Sequence, residues 1–257
     1  MSEPAAVDAP VIDLTRAGAV AFGTDGAVTD TARGHAAAWK HVFDAFLRSR
    51  STPFDIREDY LRHLDGRPRL DGIRTFLAAR GITLPEGTPD DEPGAPTVHG
   101  LGLAKDRTFL AQVDEYGVAA FPSSVALLHE LRRRGARTAA VSASLHGRRL
   151  VRAAGLTHLF DVIVDGADAA ELGLPGPPDP ALFLEAARRL ELPPARVAVV
   201  DAALAGVEAA GKGAFGLVVG VVREGGQADE LRAAGAGAVV ADLGEVEVRG
   251  RVLPLSP

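Results

Sequence analysis

Short apolar runs alternate with segments of helical periodicity along most of the chain. Six runs lack polar alternation and are predicted to be buried strands: Gly18–Phe22, Thr138–Ser142, Phe160–Val164, Val197–Asp201, Leu217–Val222 and Ala238–Val240. Helical patterns lie between most of them, at Ser123–Arg134, Gly147–Ala154, Pro180–Leu190, Leu204–Gly211 and Gln227–Ala234. This order predicts an α/β fold in which helices cover both faces of a doubly wound parallel sheet. Such sheets bind ligands beyond the carboxyl ends of their strands.

One long segment interrupts the alternation after the first predicted strand. It shows helical periodicity at Thr31–Leu47, Ile56–His63 and Gly72–Ala79, followed by a loop rich in Pro, Gly and acidic residues at Thr83–Pro96. We therefore predict two domains. Residues 1–28 and 116–257 form the α/β core domain, and residues 29–115 form a helical cap domain inserted after the first strand. An insertion at this point stands over the ligand site as a lid.

Composition and charge exclude several classes of function. The 257 residues are 47% hydrophobic and 24% charged, as in ordinary globular chains, and the net charge of −6 argues against nucleic-acid binding. The absence of cysteine excludes disulfides and cysteine-based zinc sites. No run approaches the roughly 20 apolar residues that span a membrane, and the N-terminal MSEPAAVDAP lacks the pattern of a signal peptide. We expect a cytoplasmic protein with a short unstructured leader and no membrane contact.

Four short motifs stand in a fixed order. GTDGAVTDT follows the first strand, with HAAAWK shortly behind it, and VSAS ends the second strand. LPGPPDP precedes a predicted helix, and VVDAALAG ends the fourth strand. Together they resemble the haloacid dehalogenase superfamily, in its β-phosphoglucomutase-like branch, over nearly the whole chain. The resemblance implies a Rossmann-like core with an inserted helical cap, phosphoryl transfer on sugar phosphates, and Mg²⁺ as the cofactor.

At the catalytic positions the chain departs from this family. The resemblance places the carboxylate nucleophile at Gly23, the lysine that neutralises phosphate at Pro177, and the two magnesium-binding acids at Asp201 and Ala202. Glycine offers no side chain for an aspartyl-phosphate. Shifting the last motif by one residue still removes one acid. Asp25 occupies the general acid/base position, where it is equally suited to stabilising the turn at the next residue.

The positions that would bind a ligand differ less from the pattern of this family. Ser142, with the backbone N–H groups of Ala143 and Ser144 at a turn into a helix, is predicted to form an anion cradle, although Ser142 also suits a plain helix cap. The resemblance further places a set of side chains where family members gate or contact a sugar phosphate: His35, Trp39, Arg69 and Lys105. Alternatively, Trp39 anchors the cap core, and Arg69 and Lys105 lie on a solvated face. A Ser142–His146 nucleophile pair is rejected, because no orienting acid follows from the spacing.

Three interpretations remain open. The favoured one is a catalytically inactive relative that retains binding of a phosphorylated sugar or another small anion and needs no cofactor. The second is an active phosphatase or phosphomutase that uses Mg²⁺ and lets Asp25 or Asp201 activate water. The third is a scaffold with a vestigial cleft and an unknown protein partner.

Overall fold

A computed structural model of the protein describes residues 9–48, 50–223 and 228–252. Its strands are β1 (Val11–Asp13), β2 (Ala19–Gly23), β3 (Arg137–Val141), β4 (Val162–Val164), β5 (Val197–Asp201), β6 (Leu217–Val221), β7 (Ala238–Val240) and β8 (Glu247–Arg249). Six of them form one parallel sheet in the order β4-β3-β2-β5-β6-β7. Each of the six predicted strands lies within two residues of an observed one, so the predicted α/β fold is confirmed.

Both faces of the sheet are covered, which explains why its strands lack polar alternation. Val20 and Phe22 pack on one face with side chains of the helix Pro122–Arg133, whereas Ala19 and Ala21 pack on the other with side chains of the helix Ala181–Arg189. All five residues of β2 are buried.

Two short strands form a second, parallel pair that the sequence analysis did not predict. β1 pairs with β8, and Val11 lies opposite Glu247. Each strand has only three residues, too few for a periodicity to stand out. The predicted leader falls mostly on residues 1–8, which lie outside the described residues.

The segment between β2 and the helix Pro122–Arg133 is helical and has its own apolar core. It contains α1 (Ala32–Leu47), a π-helix (Ile56–Leu64), α2 (Arg69–Ala79) and α3 (Val98–Tyr116). We call residues 32–116 the helical segment. Its core is built on stacked aromatic rings, with centroids 5.2 Å apart for Trp39 and Phe43 and 4.3 Å apart for Phe43 and Phe76. The sequence analysis did not predict α3, and the division into two domains stays a prediction.

The remaining helices flank the sheet. They are α4 (Pro122–Arg133), α5 (Gly147–Ala153), α6 (Gly166–Leu172), α7 (Ala181–Arg189), α8 (Leu204–Lys212) and α9 (Ala228–Ala233). The predicted first residue of the last helix, Gln227, lies outside the described residues. Among the helices of the described ranges, none is both long and apolar enough to span a bilayer.

The helical segment lies directly on the carboxyl end of the sheet. A Cβ on Gly66, which has φ +69°, would lie 2.6 Å from the Cβ of Ala203, and a Cβ on Gly176 would lie 2.8 Å from Cδ of Pro68. Both positions therefore need glycine for close packing. Beside these contacts, a cavity of about 640 Å³ separates the strand ends from the helical segment.

Candidate functional site

The position predicted for the nucleophile is closed by a neighbouring carboxylate. Gly23 ends β2, and Asp201 ends the adjacent β5, where the preceding residues Phe22 and Val200 are paired. A Cβ on Gly23 would lie 2.5 Å from Cγ of Asp201, and a Cβ on Gly206 would lie equally close. Real Cβ atoms essentially never approach another heavy atom that closely. The Asp201 side chain thus fills the space between two glycines.

Asp201 itself is withdrawn from solvent. It is 6% exposed, and the Ala203 N–H donates to its Oδ1 at 2.8 Å. Burial raises its pKa to about 7, and the nearby carboxylates of Asp65 and Asp25 add to the shift. It does not line the cavity. Near neutral pH, Asp201 is therefore a partly protonated, enclosed carboxyl group.

The residues at the strand ends do not fit a magnesium ion. Mg²⁺ needs carboxylate oxygens in octahedral geometry, and neither Gly23 nor Ala202 supplies one. Within residues 9–48, 50–223 and 228–252, no group of three or more acidic or histidine side chains is arranged to hold a metal. Pro177 is buried, and its neighbour Gly176, not Pro177, lines the cavity. This position therefore supplies no cation to the cavity.

Asp25 is held as an ionised carboxylate by hydroxyl groups. Ser142 Oγ donates to its Oδ2 at 3.1 Å, Thr24 Oγ1 donates at 3.2 Å, and Thr31 Oγ1 donates to its Oδ1. Burial alone would raise the pKa of Asp25, but the adjacent His35 and these hydroxyls hold it well below its usual range. A group that stays ionised at neutral pH is a poor proton donor and a weak base.

His35 and Lys105 form a buried pair beside Asp25. Lys105 Nζ donates to His35 Nδ1 at 2.8 Å, and His35 Nε2 lies 3.5 Å from Asp25 Oδ1, the long limit of a hydrogen bond. His35 stacks on Phe109 with ring centroids 3.9 Å apart. Lys105 is only 4% exposed, and burial lowers its pKa to about 7. The alternative that Lys105 lies on a solvated face is wrong.

Trp39 packs in the core of the helical segment, and its contact with a ligand stays a prediction. Its ring stacks on Phe43 in the core of the helical segment, and it also lines the cavity. Lys105 Nζ lies 5.5 Å from the centre of its indole ring. The Trp39 side chain therefore packs in this core and forms part of the cavity wall.

Arg69 lies in an arrangement that the sequence analysis missed. Its guanidinium pairs with Asp106 of α3, and His146 Nε2 lies 3.2 Å from Asp106 Oδ2. Arg69 Nε is buried and has no hydrogen-bond partner among the residues that the structure describes. Arg69 is thus not on a solvated face, and His146 has an acidic neighbour but does not pair with Ser142. The link between Asp106 and His146 is tertiary and leaves no local pattern in the sequence.

The predicted anion cradle is only partly available. The Ser144 N–H donates to Ser142 Oγ at 3.2 Å, and the helix begins at Gly147, as predicted, three residues after Ser144. The prediction that Ser144 offers a free N–H is therefore wrong. The Ala143 N–H has no hydrogen-bond acceptor among the described residues and lies at the cavity.

Three further residues that the sequence analysis missed line the cavity. Tyr60 donates its hydroxyl to Asp65 Oδ1 at 2.9 Å, and burial raises the pKa of Asp65 to about 6. Arg67 has no ion-pair partner in the part of the chain that the structure describes. The signal for Arg67 was present in DGRPRLDG, where it stands two residues before Arg69.

Comparison with known proteins gives a consistent result. The haloacid dehalogenase-like hydrolase family matches residues 17–213. β-Phosphoglucomutase of Mycobacterium bovis is 40% identical over 234 residues, which cover 88% of this chain and 89% of the relative. The crystal structure of β-phosphoglucomutase from Clostridium difficile has a TM-score of 0.70 at 21% identity, covering 89% of this chain and 92% of that one. CbbY from Rhodobacter sphaeroides, in complex with phosphate, has a TM-score of 0.64 at 28% identity, covering 89% and 96%.

Proposed function

This chain belongs to the haloacid dehalogenase-like hydrolase family, and we propose that it is a β-phosphoglucomutase-like member that binds a phosphorylated sugar or similar small anion without transferring its phosphoryl group. The observation that carries the proposal is the closed position at Gly23. Covalent phosphoryl transfer needs a carboxylate there, in line with the phosphorus. The space that such a side chain would need is filled by Asp201.

An altered catalytic route has little support in this site. Asp201 is enclosed and does not line the cavity, so it has no access to a water beside a ligand. Asp25 lines the cavity, but its low pKa makes it a weak base. These properties favour binding over turnover.

Several groups remain to bind an anion. The cavity of about 640 Å³ lies within the size range of small-molecule sites. Arg67 and the Ala143 N–H are donors without protein partners in the described residues, and Lys105 lies at the inner end of the cavity. The phosphate bound to CbbY supports the same class of ligand for this chain.

We further propose that residues 29–115 act as a cap domain over a core of residues 1–28 and 116–257. The contacts of Gly66 with Ala203 and of Gly176 with Pro68 close one side of the cavity. Because these contacts join the helical segment to the strand-end side, a ligand enters when the helical segment moves away from the strand ends.

Isothermal titration with glucose 6-phosphate and β-glucose 1-phosphate, each with and without Mg²⁺, tests the proposed function. We expect saturable binding of at least one ligand, equal with and without Mg²⁺, with no sustained heat after saturation. Unphosphorylated glucose is the matched control and should bind much more weakly. Sustained Mg²⁺-dependent heat would contradict the proposal and favour an altered catalytic route. Absence of binding would favour a scaffold instead.

A further inference from the structure

Most of the charged groups that line the cavity are already neutralised by one another. Arg74 Nη1 lies 2.6 Å from Asp71 and also pairs with Glu86. Arg69 pairs with Asp106, and Lys105 Nζ, which donates to His35, lies 3.8 Å from Oδ1 of the same carboxylate.

Arg67 differs from these paired residues. It lines the cavity and has no ion-pair partner in the described ranges. Arg67 thus offers a positive charge to a ligand in the cavity.

Asp106 has an unusual position between two groups that suit a ligand anion. It extends from α3, its carboxylate pairs with Arg69 of α2, and His146 approaches the same carboxylate from the loop before α5. The side chain of Asp106 is only 16% exposed. An arginine and a histidine that converge on one carboxylate form a charge-assisted, strongly directional contact.

We propose that Asp106 is a built-in anion that fills the position between Arg69 and His146, so that the cavity accepts ligands with one phosphate group and excludes those with a second. The proposal rests on the proposed function, because it assumes that a phosphorylated small molecule occupies the cavity. A single phosphate binds at Arg67, and the rest of the ligand is uncharged.

Two physical effects produce the exclusion. A second phosphate that reached Arg69 would have to displace the Asp106 carboxylate from Arg69 and His146. The largely buried carboxylate would then keep only its longer contact with Lys105, whose Nζ lies 3.8 Å from Oδ1. A phosphate that did not displace it would lie beside a like charge at low exposure. Leu145, the residue before His146, is 46% exposed at the cavity and offers no compensating charge.

Asp71 provides a matched control for Asp106. Both are acidic residues that line the cavity, and Asp71 pairs with Arg74 away from Arg69. Asp106→Asn and Asp71→Asn therefore remove the same charge from the same cavity, but only the first frees Arg69 and His146. Trp39, the one tryptophan of the chain, lines the cavity and serves as the fluorescent reporter.

The test is a fluorescence titration of wild type and both variants with glucose 6-phosphate and glucose 1,6-bisphosphate. We expect wild type to bind the monophosphate more tightly. Asp106→Asn should strengthen bisphosphate binding about ten-fold or more, with less than about three-fold change for the monophosphate. Asp71→Asn should change both affinities by less than about three-fold. Asp106→Ser removes the same charge if the Asn variant fails to fold, as judged by its unfolding transition.

The outcomes separate this inference from the proposed function. Equal gains in the Asp106 and Asp71 variants would mean a general charge effect and would overturn the inference, as would a wild type that prefers the bisphosphate. If wild type binds glucose 6-phosphate but Asp106→Asn gains nothing for the bisphosphate, the proposed function stands and the inference fails. If wild type turns over its ligand while Asp106→Asn gains bisphosphate binding, the inference stands and the proposed function fails.

Discussion

The two sides of the cavity differ in what they retain. On the strand-end side, Gly23 and Ala202 offer no side-chain oxygen, and Asp201 has folded into the space between two glycines. On the side of the helical segment, His35 and Lys105 are buried and in contact with each other. The two sides therefore differ in kind: the strand-end side is closed by packing at Gly23 and Asp201, whereas the helical side keeps charged and polar groups in contact with one another beside the cavity.

Asp25 lies near the end of β2, on the strand-end side, but it also contacts His35 of the helical segment. A buried ammonium group costs several kcal/mol unless an opposite charge lies nearby. The ionised Asp25 raises the pKa of Lys105 against the larger lowering by burial. Asp25 therefore has a structural reason to be present that is independent of acid/base chemistry.

The largest expected effect comes from forcing a carboxylate back onto the strand-end side. We expect Gly23→Asp to lower the free energy of unfolding by about 3 kcal/mol or more, because the new side chain collides with Asp201 and adds a second buried carboxylate. Urea denaturation measures the change. The double variant Gly23→Asp/Asp201→Ala should recover most of the loss. If Gly23→Asp is as stable as wild type, Asp201 does not close this position and the comparison fails.

A smaller effect on the same side follows from the enclosed carboxyl of Asp201. Its pKa is raised to about 7 in the folded protein, above the value of about 4 in the unfolded chain, so its stabilising contribution is present below pH 4 and is lost as the pH rises towards 7. We expect Asp201→Asn to gain about 3 kcal/mol relative to wild type at pH 8 compared with pH 4.

Thermal or urea unfolding from pH 4 to pH 8 measures this difference. The raised pKa of Asp65, about 6, acts in the same direction in both proteins, so the difference between them reports Asp201 together with its interaction with Asp65. An equal pH dependence of wild type and Asp201→Asn would show that Asp201 titrates in its ordinary range.

The next effect concerns the binding side. We expect Arg67→Ala to weaken glucose 6-phosphate binding about ten-fold, because Arg67 is the unpaired cation of the cavity within the described residues and charge-assisted contacts have this magnitude. Titration calorimetry measures the affinity. Arg74→Ala is the matched control, since Arg74 lines the same cavity but is paired with Asp71 and Glu86. Equal losses in both variants would show that Arg67 acts only through net charge.

The two sides of the cavity also differ in how far the sequence predicts them. The strand-end side could be predicted from the sequence, because buried parallel strands are apolar runs. A residue that ends such a strand, like Gly23 or Asp201, lies at the carboxyl edge of the sheet by topology alone. The sequence could not predict the collision of a Cβ at Gly23 with Asp201, because this contact depends on side-chain packing between two strands that lie far apart in the chain.

On the side of the helical segment, the sequence patterns that predict helices were weaker. α3 begins with VHGLGLAKD, where two glycines lower the helix propensity and blur the apolar face, so its 19 residues were missed. Its buried members face α1, α2 and the cavity, so no single polar face marks it. The Asp106 carboxylate was missed with it, because its partners stand 37 and 40 residues away.

The smallest effect is spectroscopic and tests whether the binding side carries a titrating group in the free protein. Lys105 Nζ lies 5.5 Å from the centre of the Trp39 ring, and burial lowers the pKa of this amine to about 7. Deprotonation removes a cation from the face of the indole. We therefore expect the emission of Trp39 to shift by a few nanometres between pH 6 and pH 8, with a midpoint near 7. Lys105→Met should abolish this transition, whereas Asp201→Asn, whose own group titrates in the same range, should retain it. A transition that survives in Lys105→Met and disappears in Asp201→Asn would place the titrating charge at the strand ends and remove the distinction between the two sides.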